Sequence, residues 1–228
     1  KDIEKEKTLE KIRKDFISNV SHELKTPISI IRGYSEGASL MIENGETESA
    51  KKYCDVIVGE TEKMNTLVLQ LLELSMYESG NVALKDEVFD ISALTDDYAD
   101  ANSIKTNVKG INFTNKIPEN TRVVGDRVKT EMIINNYISN AVSHADGEKQ
   151  ITVSSNDLGD RYRISVFNTG KPIADEDIDK IWIAFYRADK SRSRSEGRYG
   201  LGLSIVSAIQ KLYGLDYGVI NHENGVEF

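Results

Sequence analysis

Two long runs of apolar residues at helical spacing occupy the first third of the chain. Leu9, Ile12, Phe16, Val20, Leu24, Ile28, Ile31, Ala38 and Ile42 recur every three or four residues, the repeat of one face of an α-helix. Asn44-Gly45 breaks the run. A second run, Tyr53, Ile57, Met64, Leu67, Leu71 and Leu74, continues to about Glu78, where Ser79-Gly80-Asn81 ends it. The two predict an antiparallel helical hairpin. Two helices cannot bury a continuous apolar stripe on each by themselves, so a second copy completing a four-helix bundle is the economical solution, and a homodimer is expected.

The rest of the composition narrows the class. The chain has 228 residues, 39% hydrophobic and 29% charged, enough for one large globular domain or two smaller ones with ordinary cores. It contains no run of about 18 uninterrupted apolar residues, and its first residues, Lys1 to Lys14, are charged rather than signal-like. The single cysteine, Cys54, excludes an internal disulfide framework and a zinc cluster, points to a reducing compartment, and is expected to pack within its helix. A formal net charge of -8 argues against broad binding to nucleic acid. The one basic stretch, Arg187 to Arg198, suits a compact polyanion such as a nucleoside triphosphate.

Beyond Gly80 short β-prone segments alternate with helices. Val82 to Phe89, Asn112 to Ile117, Arg122 to Val124, Gln150 to Ser155 and Arg161 to Asn168 read as strands, with a last one ending at Phe228. Helices are predicted near Ile91 to Ser103, Lys129 to Ala145, Asp175 to Trp182 and Leu201 to Tyr213. Asn156 to Asp160 reads as a hairpin loop. The fold class is α+β, the hairpin coming first.

Four groups of residues stand out chemically. His22 lies about 200° around the helix from Val20, opposite the apolar stripe, so it projects outward. Pro27, one turn on, removes a hydrogen bond to the Glu23 carbonyl and costs about 3 kcal/mol in a helix interior, so stability alone does not place it beside an exposed histidine. A neutral imidazole is a nucleophile at neutral pH, and the adjacent Glu23 carboxylate favours its reactive tautomer. On the helix after Lys129, Asn136, Asn140 and Ser143 gather within about 60° of one another, opposite the stripe Ile134, Ile138, Ala141 and Ala145. Asparagine is a mediocre helix former, and two at i and i+4 invite a ligand. Val166 to Ile173 is a strand running into a glycine turn, and Phe185-Tyr186-Arg187 opens a serine- and arginine-rich stretch that ends in Gly197-Arg198-Tyr199-Gly200-Leu201-Gly202-Leu203 and a helix. Glycines there let backbone approach phosphates, to which a helix N-terminus offers amide donors.

The segment Phe16 to Ile28, with Ser21-His22-Glu23-Leu24-Lys25-Thr26-Pro27 at its centre, resembles the phosphoacceptor motif of the sensor histidine kinases of two-component systems. The resemblance implies that Nε2 of His22 attacks the γ-phosphate of ATP, that Glu23 orients and deprotonates the imidazole, and that Thr26 assists the reverse, phosphatase chemistry. Asn136 to Ala141 resembles the family's N box, with Asn136 at the nucleotide and Asn140 holding Mg²⁺ against the phosphates through an amide oxygen, a suitable hard ligand. Asn168-Thr169-Gly170 resembles the first glycine box, with Asn168 where the family has the aspartate that contacts the adenine amino group. An asparagine amide both accepts and donates, so it can meet adenine N6 and N1 together. Phe185, Tyr186, Arg187 and Lys190, then Gly200, Leu201, Gly202 and Leu203, resemble the aromatic box, the ATP lid and the second glycine box. Ser143 and His144 stand where the family often has lysine and tyrosine, so Arg187, Lys190, Arg192 and Arg194 are expected to carry more of the phosphate's charge.

The resemblance runs from about Lys14 to Phe228, with the motifs in the family's order. It implies a dimerisation and phosphoacceptor domain over residues 1–80, an ATP-binding α/β sandwich over 90–228, and a hinge beginning at Gly80 and Asn81. The expected cofactors are ATP and Mg²⁺, and the expected partners are a second copy and the receiver domain of a response regulator, with no nucleic acid. The chain is then the cytoplasmic segment of a plasma-membrane sensor whose membrane and sensing parts lie upstream. Two rivals remain: an ATPase of the wider superfamily, against which the His-Glu-Leu-Lys-Thr-Pro segment argues, and a degenerate kinase serving as a dimeric scaffold or nucleotide sensor.

Overall fold

The computed structural model describes residues 2–188 and 199–228. The side chain of Leu9, and Lys190, Arg192, Arg194, Gly197 and Arg198, which the sequence reading places in a lid, lie outside the described residues. Two compact units are present, dividing at Glu73 and Leu74; Tyr199 to Leu201 cluster with the first unit, and the chain from Gly202 belongs to the second.

The first unit is the helical hairpin, α1 (Asp2–Glu43) and α2 (Thr47–Glu78). Between them Gly45 has a φ of +78°, and its amide bonds the Ile42 carbonyl while that of Glu46 bonds Met41, so the last carbonyls of α1 are satisfied by a left-handed cap. Phe16, Val20, Leu24 and Ile31 are half-buried as their spacing predicts, and Pro27 and Ala38 are buried. A side chain at Gly37 would run into the Tyr53 ring, so the helices approach closely there. Ile12, Ile28 and Ile42, expected on the inner stripe, are exposed together with Ile17, Leu40, Val58, Leu69 and Leu72. Cys54 is also exposed, not packed in its helix as the sequence suggested. A two-helix layer has one inner face, and a chain with more apolar surface than that face accommodates leaves the rest outside.

The second unit begins with the last turn of α2, where Tyr77 is buried, donates its hydroxyl to the Met132 sulfur at 3.6 Å and lies 5.1 Å from the Lys129 ammonium. Its further elements are β1 (Glu87–Asp90), α3 (Ile91–Ala101), α4 (Ser103–Lys109), β2 (Asn112–Asn115), β3 (Arg122–Gly125), α5 (Arg127–His144), β4 (Gln150–Asp157), β5 (Tyr162–Thr169), α6 (Gly202–Tyr213), β6 (Ile220–His222) and β7 (Gly225–Glu227). Five strands form a sheet in the order β2-β4-β5-β7-β6, parallel between β2 and β4 and antiparallel elsewhere; β1 and β3 pair separately. Alternate residues of β4 and β5, Ile151, Val153 and Val166, face inward with Ile134, Ile138 and Ala141 of α5 and Ile205, Val206 and Ile209 of α6, making a two-layer α/β sandwich.

Two segments depart from their sequence patterns, and two short elements have no pattern to read. Val82 to Phe89 is a strand only from Glu87, because the Lys85 amide goes to the Asp126 carboxylate at 3.0 Å rather than to a neighbouring strand. Asp175 to Trp182 is a short 3₁₀ turn, Asp175–Asp177, followed by further turns. There Asp177 accepts from the Tyr186 hydroxyl, and the Trp182 ring is drawn onto Tyr217 and Phe228, so tertiary partners override a weak helical repeat. Helix α4 and strand β6 are too short to register as periodic segments.

Asp126 is 5% exposed, and besides Lys85 its carboxylate accepts from the Lys129 amide at 3.1 Å, capping α5. Burial alone would raise its pKa, but these amides and the Lys129 charge outweigh burial and lower it below its ordinary 3.8. A carboxyl depressed in the folded state contributes stability that is complete above its unfolded value and is lost as pH falls through the folded one. Asp126→Ala is expected to lower unfolding free energy by about 1–2 kcal/mol at neutral pH, read from urea curves. The gap between parent and variant should close below the ordinary value of 3.8; a gap that stays constant would remove the carboxylate from the account.

Candidate functional site

In the first unit His22 is exposed on α1, with Glu23 half-buried beside it. Hydroxyls around it are tied to the helix: Ser21 donates to the Ile17 carbonyl at 2.8 Å, Thr26 to the His22 carbonyl at 3.3 Å and Ser29 to the Lys25 carbonyl at 2.9 Å. The Thr26 bond is long, and the oxygen of a donating hydroxyl can still accept from a second group. Pro27 sits inside an unbroken helix, without an amide for the Glu23 carbonyl. Gly200 has a φ of +72°, and Leu201 is 1% exposed. Tyr199, which sequence reasoning did not single out, is buried and donates its hydroxyl to the Lys63 carbonyl at 2.9 Å.

In the second unit α5 is the central element. Ile133, Ile134, Tyr137, Ile138 and Ala141 turn into the core, which leaves Asn136, Asn140 and Ser143 half-buried on another face. Asn136 donates its amide nitrogen to the Met132 carbonyl at 2.8 Å, and Ser143 its hydroxyl to the Ser139 carbonyl at 3.1 Å. Asn135, also missed in the sequence, has a buried Oδ1 with no hydrogen-bond partner among the described residues.

Strand β5 delivers Asn168 to the end of α5. Asn168 is 2% exposed, on the same inward face as Val166 two residues earlier, and its Nδ2 donates to the Thr169 carbonyl at 3.1 Å. That carbonyl also takes the Asp146 amide at 3.0 Å, which ties the strand to the loop after α5. Gly170 follows with a φ of +149°, and a side chain there would lie 2.6 Å from the His144 carbonyl, so both conformation and space demand glycine. A cavity of about 330 Å³ is lined by Asp146, Gly147, Glu148, Thr169, Gly170, Lys171 and Asn224, and includes neither Asn136 nor Asn140.

Phe185 has a φ of +66°, a left-handed conformation that costs a non-glycine residue of order 1–3 kcal/mol and is found most often at functional sites. Next to it, the hydrogen bond from the Tyr186 hydroxyl to the Asp177 carboxylate raises the phenol's pKa, since ionisation would break that bond and set two negative charges together. Arg187 is half-buried. Gly202 and Leu203 begin α6, and Gly202 lies against the side chain of Asn136. Among the described residues no group of three His, Cys, Asp or Glu side chains converges to hold a metal ion. The donor set suits a hard cation that brings most of its ligands as phosphate oxygens and water and takes one amide oxygen, as Asn140 offers.

Two families match the chain. The family described as "His Kinase A (phospho-acceptor) domain" matches residues 12–80, and that described as "Histidine kinase-, DNA gyrase B-, and HSP90-like ATPase" matches residues 125–228. The sensor-like histidine kinase SenX3 of Mycolicibacterium smegmatis is 28% identical over 201 residues, covering 88% of this chain and 52% of the relative. The sensor protein VanSB of Enterococcus faecalis is 31% identical over 228 residues, covering 100% of this chain and 50% of the relative. The chain thus spans about half the length of the curated relatives it matches. Among solved structures, histidine kinase ThkA in complex with response regulator protein TrrA superposes with a TM-score of 0.73 at 28% identity, covering 94% of this chain and 59% of that one. Full-length ShkA in complex with AMPPNP gives a TM-score of 0.68 at 25% identity, covering 94% of this chain and 44% of that one.

With Nδ2 of Asn168 directed at the Thr169 carbonyl, Oδ1 is the atom left to accept from a base amino group. Asn168→Leu is therefore expected to weaken ATP binding about tenfold or more, an unpaired buried donor being worth about 1–3 kcal/mol. Asn168→Asp, which keeps the acceptor, should bind within a few fold of the parent. Calorimetry with ATP decides, and unchanged affinity in Asn168→Leu removes the residue from the base site.

Proposed function

Because the chain is the core of a two-component sensor histidine kinase, with the phosphoacceptor and ATPase modules in that order, we propose that it transfers the γ-phosphoryl group of ATP to its own His22 and from there to an aspartate of a response regulator. The observation that carries this is the exposed His22 beside Glu23 and Pro27, joined in one chain to an ATPase domain that presents Asn136, Asn140, Asn168 and Gly170 around α5. The neutral Nε2 lone pair forms the P–N bond as the bond to ADP breaks, and Glu23 holds the proton on Nδ1. Asn168 receives the adenine amino group, and the amides at the start of α6, with Gly200, Leu201, Gly202 and Leu203, face the phosphates. Phe185, Tyr186 and Arg187 are the root of the lid, to which the sequence motif also assigns Lys190. Mg²⁺ at Asn140 neutralises phosphate charge, which with positioning is most of what phosphoryl transfer requires.

The assembly is a homodimer whose four-helix bundle, residues 1–80, covers the apolar residues that one hairpin leaves exposed, Leu40, Val58, Leu69 and Leu72 among them. Residues 90–228 form the ATP-binding domain. The likeness to ThkA, solved in complex with TrrA, supports a response regulator as partner, and the likeness to ShkA, solved in complex with AMPPNP, supports ATP. No helix of the described residues is long and apolar enough to cross a membrane; membrane attachment is assigned to the parent protein. Incubation with γ-labelled ATP tests the reading. Acid-labile label should appear on the parent and be absent from His22→Gln, which should still bind ATP; label retained by that variant overturns it.

The enzyme is further proposed to dephosphorylate its partner, with Thr26 holding the attacking water. The hydroxyl that donates to the His22 carbonyl keeps its acceptor sites, one turn from the imidazole. Thr26→Ala should label His22 and pass the phosphoryl group on at near-parent rates while losing most partner dephosphorylation. Equal dephosphorylation by parent and variant would leave Thr26 with the backbone bond alone.

A further inference from the structure

Residues 171–174, between the first glycine turn and the 3₁₀ turn, form neither helix nor strand, and Pro172 has no amide to offer a partner. The segment is nevertheless fastened at Ile173. Its amide donates to Oδ1 of Asn221 at 2.9 Å, and its carbonyl accepts from Nδ2 of the same side chain at 2.7 Å. One primary amide thus takes both backbone groups of one residue, as a neighbouring strand would. Asn221 also has a defined place in the sheet. It stands opposite Val226 of β7, and Val226 stands opposite Asn168 of β5, so the three lie in one row and their side chains share a face. Two strand spacings, roughly 10 Å, separate the two asparagines. Asn168 and Val226 are buried, and Asn221 is half-buried.

We propose that Asn221 is a positioning residue for the base of the nucleotide: its amide holds the segment after the glycine turn as a wall of the base site, across Val226 from Asn168. The role rests on the reading of Asn168 as the base acceptor. The near end of the segment is set without Asn221, because the Gly170 amide bonds the Asn224 carbonyl at 3.0 Å and the Thr169 hydroxyl takes the Gln150 amide at 2.9 Å. Asn221 sets the far end. With both ends held, the gap between Asn168 and Ile173 is fixed before a base enters it. A segment released at Ile173 would have to be ordered by the ligand, and that ordering weakens binding.

Calorimetry with ATP and with ADP, on the full chain and well below its melting temperature, tests the proposal. Asn221→Ala removes both bonds, and Asn221→Asp, of the same shape, keeps the acceptor but sets a carboxylate against the Ile173 carbonyl. Each should weaken ATP and ADP binding about three- to tenfold and by the same factor, since the segment stands at the base and not at the γ-phosphate. Parent-like binding by Asn221→Ala overturns the proposal, as does parent-like binding by Asn221→Asp, which would leave Asn221 a filler of space. A loss much larger for ATP than for ADP overturns the placement at the base. Amide hydrogen exchange separates positioning from general stability: it should quicken over residues 171–174 in both variants and stay parent-like in α5 and β4. Faster exchange throughout the second unit makes Asn221 a stabiliser of the fold alone. Should both variants fail to fold, the parent decides, because ADP should slow exchange over residues 171–174, and unchanged exchange there overturns the wall. A parent that binds neither nucleotide overturns the kinase reading itself, whereas a parent that binds both no better than Asn221→Ala overturns only the role of Asn221.

Discussion

One buried residue, Asp126, holds together three parts of the second unit, two through its carboxylate and one through its backbone. Asp126 accepts from the amides of Lys85, in the segment leaving α2, and of Lys129, in the first turn of α5. Its own backbone amide and carbonyl meet the hydroxyl of Tyr213, at the end of α6, at 2.9 and 3.3 Å. The start of α5, the end of α6 and the approach from α2 are therefore referenced to one residue, whose carboxylate is satisfied only when the approach from α2 and the start of α5 are both in place. Buried charges are tolerated on that condition. Among the residues assigned to the nucleotide in this unit, Asn136 and Asn140 lie on α5 and two glycines are spaced from it, Gly170 against the His144 carbonyl and Gly202 against Asn136.

The two glycine motifs thus act in this fold first as points of close approach. Gly170 is needed twice over, for a left-handed backbone and for the carbonyl beside it, whereas Gly202 is needed only for space. The distinction bears on what each box does. A turn with a glycine-only backbone holds its shape whatever binds, so Asn168 and its carbonyl-directed amide are ready-made. A glycine demanded by a neighbour's side chain is as well placed as that neighbour.

The hairpin follows another rule. Its helices are long and regular, its hydroxyls are absorbed by the backbone, and its one irregularity is Pro27 beside the histidine. A single hairpin buries one stripe, so the remaining apolar surface makes association with a second copy the natural completion, and the imidazole stays exposed on the polar side.

Much of this was legible in the chain itself. Periodicity gave both long helices, α5, α6 and the main strands, because each buries a face over several turns or alternations and the repeat records that burial. His22 was legible as outward-facing from its angle to Val20, and the polar face of Asn136, Asn140 and Ser143 from theirs to the buried stripe. Only tertiary structure decided the rest. The residues from Val82 to Asp86 carry strand-like composition but find no partner strand, since Asp126 takes the Lys85 amide. The acidic turn near Asp177 gives up its helix to Tyr186 and Trp182, contacts that join residues with no common period. Ile28 and Ile42 match the helical repeat yet face outward, because the repeat tells which residues share a face and not how wide a face the neighbour can cover. The approach of Gly202 to Asn136 was beyond reach for the same reason: a residue's sequence neighbours do not say what stands against it in space.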